Sequence, residues 1–260
     1  MSGATVAPTG LRRHWAVVAA AFALAFVAVA AGVAAVAERP VAARWAVPAA
    51  GVAAFELWFL YRHLDANHGG GPDDRLYGSL GVANAVTLVR GGAFAAVAGF
   101  AAVEPTPGLA WLPALLYGGG CALDRIDGYT ARRGGRTTVL GARLDMAFDT
   151  LGFLVAPVVA VLWGRLPVWY LSLSLARYAF RAGRGLRRRR GRPVHDLPPS
   201  SVRRPLAGVQ MVFITVALAP VLPAATVRPL AAVVLVPSLA VFARDYLVVS
   251  GRFRGRKDND

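Results

Sequence analysis

Residues 121–150 read CALDRIDGYTARRGGRTTVLGARLDMAFDT and place four aspartates within two otherwise apolar segments. Asp124 and Asp127 are three positions apart, and Asp145 and Asp149 are four positions apart. Either spacing puts two carboxylates on one face of an α-helix. The short arginine- and glycine-rich segment between the pairs predicts a turn that makes the two helices antiparallel neighbours. The sequence therefore predicts that the four carboxylates converge.

The composition around this stretch is that of a membrane protein. The chain has 260 residues, of which 56% are hydrophobic and 17% are charged. Soluble chains average about 25% charged and roughly 45–50% apolar residues, so the composition argues against a soluble globular domain. A disordered chain, a collagen and a coiled coil are excluded. The single cysteine, Cys121, has no partner for an intrachain disulfide.

Eight long apolar runs, bounded by segments rich in Arg, Gly, Pro or Asp, predict eight transmembrane helices. They cover residues 15–37, 41–60, 80–103, 109–131, 139–163, 166–180, 205–222 and 227–249. The run at 166–180 is short for a span, and we expect it to tilt or to continue as a helix into the basic segment that follows. The predicted fold class is all-α, a polytopic membrane protein.

The distribution of cations predicts the orientation, because Lys and Arg accumulate in cytoplasmic loops. Of the 29 lysines and arginines, 20 fall in loops on one side of the predicted spans, four fall on the other side, and five lie within spans. We therefore expect a multi-pass protein of the cell membrane with both termini and the aspartates on the cytoplasmic side. The net charge of +15 does not predict nucleic-acid binding, since these cations lie beside a membrane.

The spans divide the chain into four predicted parts. Residues 1–61 form a two-helix N-terminal membrane extension, and residues 62–79 form a cytoplasmic linker whose glycines predict flexibility. Residues 80–249 form a six-helix core, and residues 250–260 form a basic cytoplasmic tail.

Four neighbouring carboxylates cannot all stay ionised without cations. Hard divalent ions with oxygen ligands, Mg²⁺ or Mn²⁺, suit them, and a pair of such ions could clamp a diphosphate. The alternative is a set of interhelical salt bridges with neighbouring arginines, namely Arg125, Arg132, Arg136 and Arg143. That alternative is weak for the whole set, because Arg125 and Arg143 cannot share a helical face with the acids beside them.

A longer motif contains these aspartates. It has eight fixed positions, Asp124-x-x-Asp127-Gly128-x-x-Ala131-Arg132, then eight residues, then Gly141-x-x-x-Asp145-x-x-x-Asp149. All eight match the signature of the CDP-alcohol phosphatidyltransferases, and a chance match has a probability on the order of one in a million. The chain thus resembles this family of membrane enzymes of phospholipid biosynthesis.

The resemblance implies a role for each position of the motif. Asp124, Asp127 and Asp145 would hold two divalent metal ions, Mg²⁺ or Mn²⁺, against the diphosphate of a CDP-linked lipid donor. Asp149 would contribute to the metal site and act as the general base. The remaining positions would contact the nucleotide and its phosphates, namely Gly128, Ala131, Arg132 and Gly141.

A second pattern, Asn84-x-x-Thr87-x-x-Arg90, opens the third predicted span. It is similar to the pattern that starts the first core helix of the family and faces the nucleotide. The predicted spans from 80 to 249 match the six-helix catalytic core of the family, so the two helices before them are an addition to the minimal pattern.

The basic segment after the sixth span contains cations of two kinds. The run Arg187–Arg190 with Arg192 predicts an anchor to anionic membrane lipids. The other cations recur at helical spacing or open the next span, where the resemblance implies contacts with the acceptor. These acceptor candidates are Arg177, Arg181, Arg203 and Arg204. Arginines there favour a phosphorylated acceptor over serine, since guanidinium groups bind phosphate in a bidentate manner.

The function expected from these features is transfer of a phosphatidyl group from a CDP-linked lipid to the hydroxyl of a small alcohol, with release of CMP. The family resemblance also implies a homodimer. Three alternatives remain: a divalent-cation transporter, a noncatalytic lipid-binding scaffold, and a family relative that uses a soluble CDP-linked donor.

Overall fold

The computed structural model describes residues 9–71, 75–132 and 137–252, with side chains described for all of these except residues 125–132. The described residues form eight α-helices and no strand, which confirms the all-α prediction. The helices are α1 (Thr9–Val36), α2 (Arg39–Arg62), α3 (Gly81–Gly99), α4 (Leu112–Arg132), α5 (Val139–Leu162), α6 (Ser172–Arg189), α7 (Arg203–Leu218) and α8 (Ala224–Val249).

Helix α6 differs most from its predicted run. It begins six residues later than predicted, at Ser172, because Val168–Leu171 form a separate 3₁₀ turn after Pro167. It then continues through the first part of the basic segment to Arg189. Arginine is among the better helix formers, so the cations extend the helix rather than end it.

Four helical segments of the described chain are long and apolar enough to cross a membrane. They are Thr9–Val36, Gly81–Ala102, Val139–Leu162 and Ala224–Val249. Helix α7, with 16 residues, is short for a perpendicular span of about 30 Å. The chain is therefore a membrane protein, while the count of eight spans and the division into six helices plus two remain predictions.

Helix α3 occupies the centre of the packing, since it contacts α2, α4 and α5. Small residues allow these close approaches. Gly120 of α4 and Gly152 of α5 both lie against the Phe94 ring of α3, where added Cβ atoms would come within 2.8 Å and 2.7 Å of ring carbons. On the other side, the Trp45 indole of α2 lies against Gly99 and donates a hydrogen bond to the Ala96 carbonyl at 3.1 Å.

The described residues of the segment between α2 and α3 form several specific hydrogen bonds, while its role as a linker remains a prediction. Asn67 is fully buried, and its side-chain amide donates to the carbonyls of Tyr77 (3.0 Å) and Ser79 (2.9 Å). The amide of Val139, at the start of α5, donates to the His68 carbonyl at 2.9 Å. These bonds hold the described part of the segment beside the beginnings of α3 and α5.

Gly91 of α3 marks the place where α2 and α5 both meet this helix. A Cβ atom there would lie 2.6 Å from the Phe148 ring and 3.0 Å from Glu56 Oε2. Glu56 itself is fully buried, and neither of its carboxyl oxygens has a hydrogen-bond partner among the described residues. Because a buried polar group without a partner costs free energy, apolar packing must hold this part of the bundle together.

The substitution Gly91→Ala is therefore expected to lower the free energy of unfolding by about 1–3 kcal/mol, the usual cost of overpacking. Thermal unfolding of the detergent-solubilised protein measures it. Gly51→Ala in α2 is the matched control, because nothing lies within 4 Å of its Cβ position and alanine favours a helix over glycine. A midpoint for Gly91→Ala equal to that of Gly51→Ala would contradict the prediction.

Candidate active site

The guanidinium group of Arg90 lies at the centre of the aspartate cluster. It forms ion pairs with Asp124 of α4, with Asp145 of α5 at 3.0 Å, and with Asp149 of α5 at 3.3 Å. The Arg90 side chain is only 3% exposed, whereas the three carboxylates are between 35% and 49% exposed. Three of the four predicted aspartates thus converge on one buried cation and keep oxygens open to a ligand.

The Asn84, Thr87 and Arg90 side chains form one buried stripe on α3, and each residue is 2% exposed. The Thr87 hydroxyl donates to Asp145 Oδ1 at 3.1 Å. The sequence predicted that this stripe faces the nucleotide. In the structure, the Thr87 and Arg90 side chains contact the aspartates. Contact of this stripe with a nucleotide remains a prediction.

Thr138 is a site residue that sequence reasoning missed. It is the N-cap of α5, and its hydroxyl oxygen accepts a hydrogen bond from the Gly141 amide at 2.9 Å. The same hydroxyl lies 3.3 Å from the Asn84 amide nitrogen, which also donates to the Leu80 carbonyl at 2.8 Å. The signal in the sequence is a threonine directly before an apolar helix, which is typical of an N-cap.

Gly141 leaves room for this contact between α3 and α5. A Cβ atom at Gly141 would lie 2.6 Å from Asn84 Oδ1 and 3.2 Å from Thr138 Oγ1. A glycine is therefore needed at this position of the motif, because the Asn84 amide closely approaches the start of α5.

Four predicted positions lie outside the described side chains. Asp127, Gly128, Ala131 and Arg132 belong to the last turns of α4, whose backbone is described. The salt-bridge alternative is tested only at Arg143, which is exposed and forms no ion pair with the described aspartates.

A cavity of about 440 Å³ opens beside Asp149, and we call it the Asp149 cavity. All four acceptor candidates line it, namely Arg177, Arg181, Arg203 and Arg204, and so does Arg184, a further cation of α6. The structure thus brings the predicted basic residues and the predicted general base to one cavity between α5, α6, α7 and α8.

The arginines of the Asp149 cavity differ in their partners. The guanidinium carbon of Arg177 lies 4.0 Å from the centre of the Phe153 ring, and its buried Nε has no hydrogen-bond partner among the described residues. Arg203 instead binds both oxygens of the buried Asp245, at 2.6 Å and 3.2 Å. Arg203 is therefore neutralised within the protein, whereas Arg177 keeps donor capacity for a ligand.

A buried polar network closes the wall of the Asp149 cavity, and it also escaped the sequence analysis. The Tyr170 hydroxyl donates to Gln210 Oε1, and the Gln210 amide donates to the Val234 carbonyl (2.8 Å) and to Ser238 Oγ (2.9 Å). The network joins the turn before α6 to α7 and α8. Its only sequence signal is a glutamine within an apolar helix.

The carboxylates of the cluster are suitable ligands for a divalent metal ion, although the described side chains are not arranged around a metal position. No group of three or more His, Cys, Asp or Glu side chains among the described residues is already spaced to hold an ion. The donors nevertheless fit Mg²⁺ or Mn²⁺, which prefer carboxylate oxygens. Three carboxylates against one guanidinium leave a formal charge of −2, and this excess favours binding of a cation.

A helical membrane protein with a carboxylate cluster opening into an arginine-lined cavity is suited to handling a phosphorylated substrate. Residues 80–247 match the family model described as CDP-alcohol phosphatidyltransferase, and the chain belongs to this family. It is a transferase of phospholipid synthesis. Enzymes of this family transfer a phosphatidyl group from a CDP-alcohol to an alcohol. Searches of curated proteins and of solved structures found no match to the chain.

Proposed function

We propose that the protein transfers a phosphatidyl group from a CDP-linked lipid to the hydroxyl of a small phosphorylated alcohol, with release of CMP. The observation that carries this proposal is the position of Asp149, which both pairs with Arg90 in the aspartate cluster and lines the arginine-rich cavity. One carboxylate thus joins the place suited to the donor diphosphate with the place suited to the acceptor.

In the proposed reaction, the acceptor oxygen forms a bond to the β-phosphorus of the donor. The bond from that phosphorus to the oxygen bridging the two phosphates breaks, and CMP leaves with the oxygen. The hydroxyl proton passes to Asp149, which acts as the general base. Such transfers depend on positioning and charge neutralisation more than on covalent catalysis.

Asp124, Asp127, Asp145 and Asp149 are the proposed ligands of two Mg²⁺ or Mn²⁺ ions. Such ions, when bound, neutralise the charge of the diphosphate. Arg90 keeps Asp124, Asp145 and Asp149 together, and Thr87 orients Asp145 through its 3.1 Å hydrogen bond. We assign Arg90 and Thr87 as positioning residues in this scheme.

The acceptor is proposed to bind in the Asp149 cavity through its phosphate. Arg177, Arg181 and Arg204 are the proposed ligands, because the guanidinium of Arg203 is already paired with Asp245. Glycerol phosphate and inositol phosphate fit this charge better than serine does. The site is proposed to face the cytoplasm in the cell membrane, with the first two helices as an extension of a homodimeric six-helix core.

The substrate proposal is tested by CMP release from the purified protein in detergent with Mg²⁺ or Mn²⁺. Serine, inositol, glycerol phosphate and inositol phosphate are supplied in turn, with CDP-diacylglycerol or a soluble CDP-alcohol as donor. We expect metal-dependent release with the lipid donor and one phosphorylated acceptor. Release only with serine or inositol would contradict the phosphate contacts, and release only with the soluble donor would contradict the lipid assignment.

The substitution Gly141→Ala is expected to lower this activity by about 100-fold. Its Cβ would collide with the Asn84 amide, and a misplacement near 1 Å in a catalytic site can cost that much. Gly119→Ala is the matched control, because nothing lies within 4 Å of that Cβ position. Initial rates at saturating substrates measure both variants, and a Gly141→Ala rate within twofold of Gly119→Ala would refute the close-contact role.

A further inference from the structure

A second cavity, of about 110 Å³, lies between the C-terminal ends of α6 and α8. We call it the four-arginine cavity, after Arg187, Arg190, Arg192 and Arg252. It shares no lining residue with the Asp149 cavity. An edge-to-face contact of two rings, with 6.5 Å between their centres, lies between the two cavities. Phe180 lines the Asp149 cavity, and Tyr246 lines the four-arginine cavity.

Two helix ends of the same type build the four-arginine cavity. Helix α6 ends at Arg189, Gly191 just beyond it adopts a φ of +62°, and the Arg192 amide donates back to the Arg187 carbonyl at 2.9 Å. Helix α8 ends at Val249, Gly251 just beyond it adopts a φ of +72°, and the Arg252 amide donates back to the Leu247 carbonyl at 3.0 Å. Each arrangement is a glycine-terminated C-cap, and in each the residue after the glycine is an arginine of the cavity.

The side chain of Arg187 joins the two ends. Its guanidinium donates to the Pro193 carbonyl at 3.0 Å and to the Ser250 carbonyl, at the C-cap of α8, at 3.0 Å. The His195 amide adds a further bond, to the Val249 carbonyl at 3.1 Å. The backbone that carries the four arginines is therefore held in place before any ligand binds.

The charge of this cavity suits an anion. No acidic residue of the described parts of the chain lines it. The nearest acid along α8 is Asp245, which is occupied by Arg203 and Arg244. Each helix C-terminus contributes only about half a negative charge, which is small against four guanidinium groups.

The cavity also offers an apolar edge, because Leu186 lines it with 47% of its surface exposed. Its volume of about 110 Å³ is that of a few water molecules, which is the scale of one phosphate group. Basic pockets between helices at a membrane surface bind anionic headgroups. We propose that the four-arginine cavity binds the phosphate of an anionic phospholipid headgroup, with an acyl chain beside Leu186, independently of the transfer reaction.

The test compares two pairs of substitutions with the same change of charge in the same basic run. Arg190→Gln with Arg192→Gln removes two cavity cations, whereas Arg188→Gln with Arg189→Gln removes two exposed cations that do not line the cavity. Native mass spectrometry of the full chain in neutral detergent measures the binding of phosphatidylglycerol, phosphatidylcholine and inorganic phosphate. Thermal unfolding confirms that both variants are folded.

We expect the cavity pair to weaken phosphatidylglycerol binding by at least about tenfold and the control pair to weaken it by less than twofold. Phosphatidylcholine is expected to bind more weakly than phosphatidylglycerol. Inorganic phosphate that binds more weakly than the lipid, but depends on the same pair, would support a lipid headgroup as occupant. Equal binding of inorganic phosphate and phosphatidylglycerol would overturn the lipid assignment, and equal losses in the two pairs would overturn the site itself.

Discussion

The substitution Asp149→Asn is expected to lower the rate of CMP release by about 10³-fold while the protein stays folded. A positioned general base contributes about 10²–10⁴-fold to a proton transfer, and asparagine accepts no proton from the acceptor hydroxyl. The change keeps the size of the side chain, and Asp149 is 35% exposed in a cavity wall. Its loss should therefore affect chemistry far more than packing.

The matched control is Asp196→Asn, which removes one carboxylate from an exposed position outside both cavities. Initial rates with saturating donor, acceptor and metal compare the two variants with the wild type. A rate of CMP release by Asp149→Asn within tenfold of that of Asp196→Asn would show that Asp149 is not the base.

Arg90→Gln is expected to lower the free energy of unfolding of the metal-free protein by about 2–3 kcal/mol. Removing one partner of a fully buried pair costs about 3–5 kcal/mol, and the aspartates here are partly exposed, which reduces that cost. Divalent metal should stabilise this variant more than the wild type, because the ions replace the missing cation between the carboxylates and bind only the folded state.

Arg143→Gln provides the control, since Arg143 lies on the same helix as Asp145 and Asp149 but is exposed and unpaired with them. Unfolding midpoints are measured with EDTA and with saturating Mn²⁺. An equal metal-induced rise in Arg90→Gln, Arg143→Gln and the wild type would contradict the role of Arg90 as the cation that holds the cluster.

The convergence of the aspartates was predictable, because spacings of three and four residues and a short turn constrain where two neighbouring helices place their side chains. The cation between them was not. The arginines expected as partners lie on the same two helices or in the turn between them, whereas Arg90 comes from α3, which packs against both α4 and α5. Proximity along the chain carries no information about such a contact.

The segment before α3 illustrates a second limit. The glycine-rich sequence did not predict that buried Asn67 donates to the Tyr77 and Ser79 carbonyls and lies 3.4 Å from the Asn84 amide nitrogen. Arg203 illustrates a third limit. It was predicted as a ligand of the acceptor, and it lines the expected cavity. Its guanidinium nevertheless pairs with Asp245, which lies on the following helix, α8. Both cases depend on long-range hydrogen bonds that local patterns do not contain.

The carboxylates around Arg90 are proposed to form the metal site of this CDP-alcohol phosphatidyltransferase. Electron paramagnetic resonance of Mn²⁺ bound to the purified protein in detergent tests it most directly, with Asp145→Asn beside the wild type. We expect saturable Mn²⁺ binding by the wild type and a loss of most of that binding in the folded Asp145→Asn variant. Equal Mn²⁺ binding by the two proteins, or none by either, would contradict it.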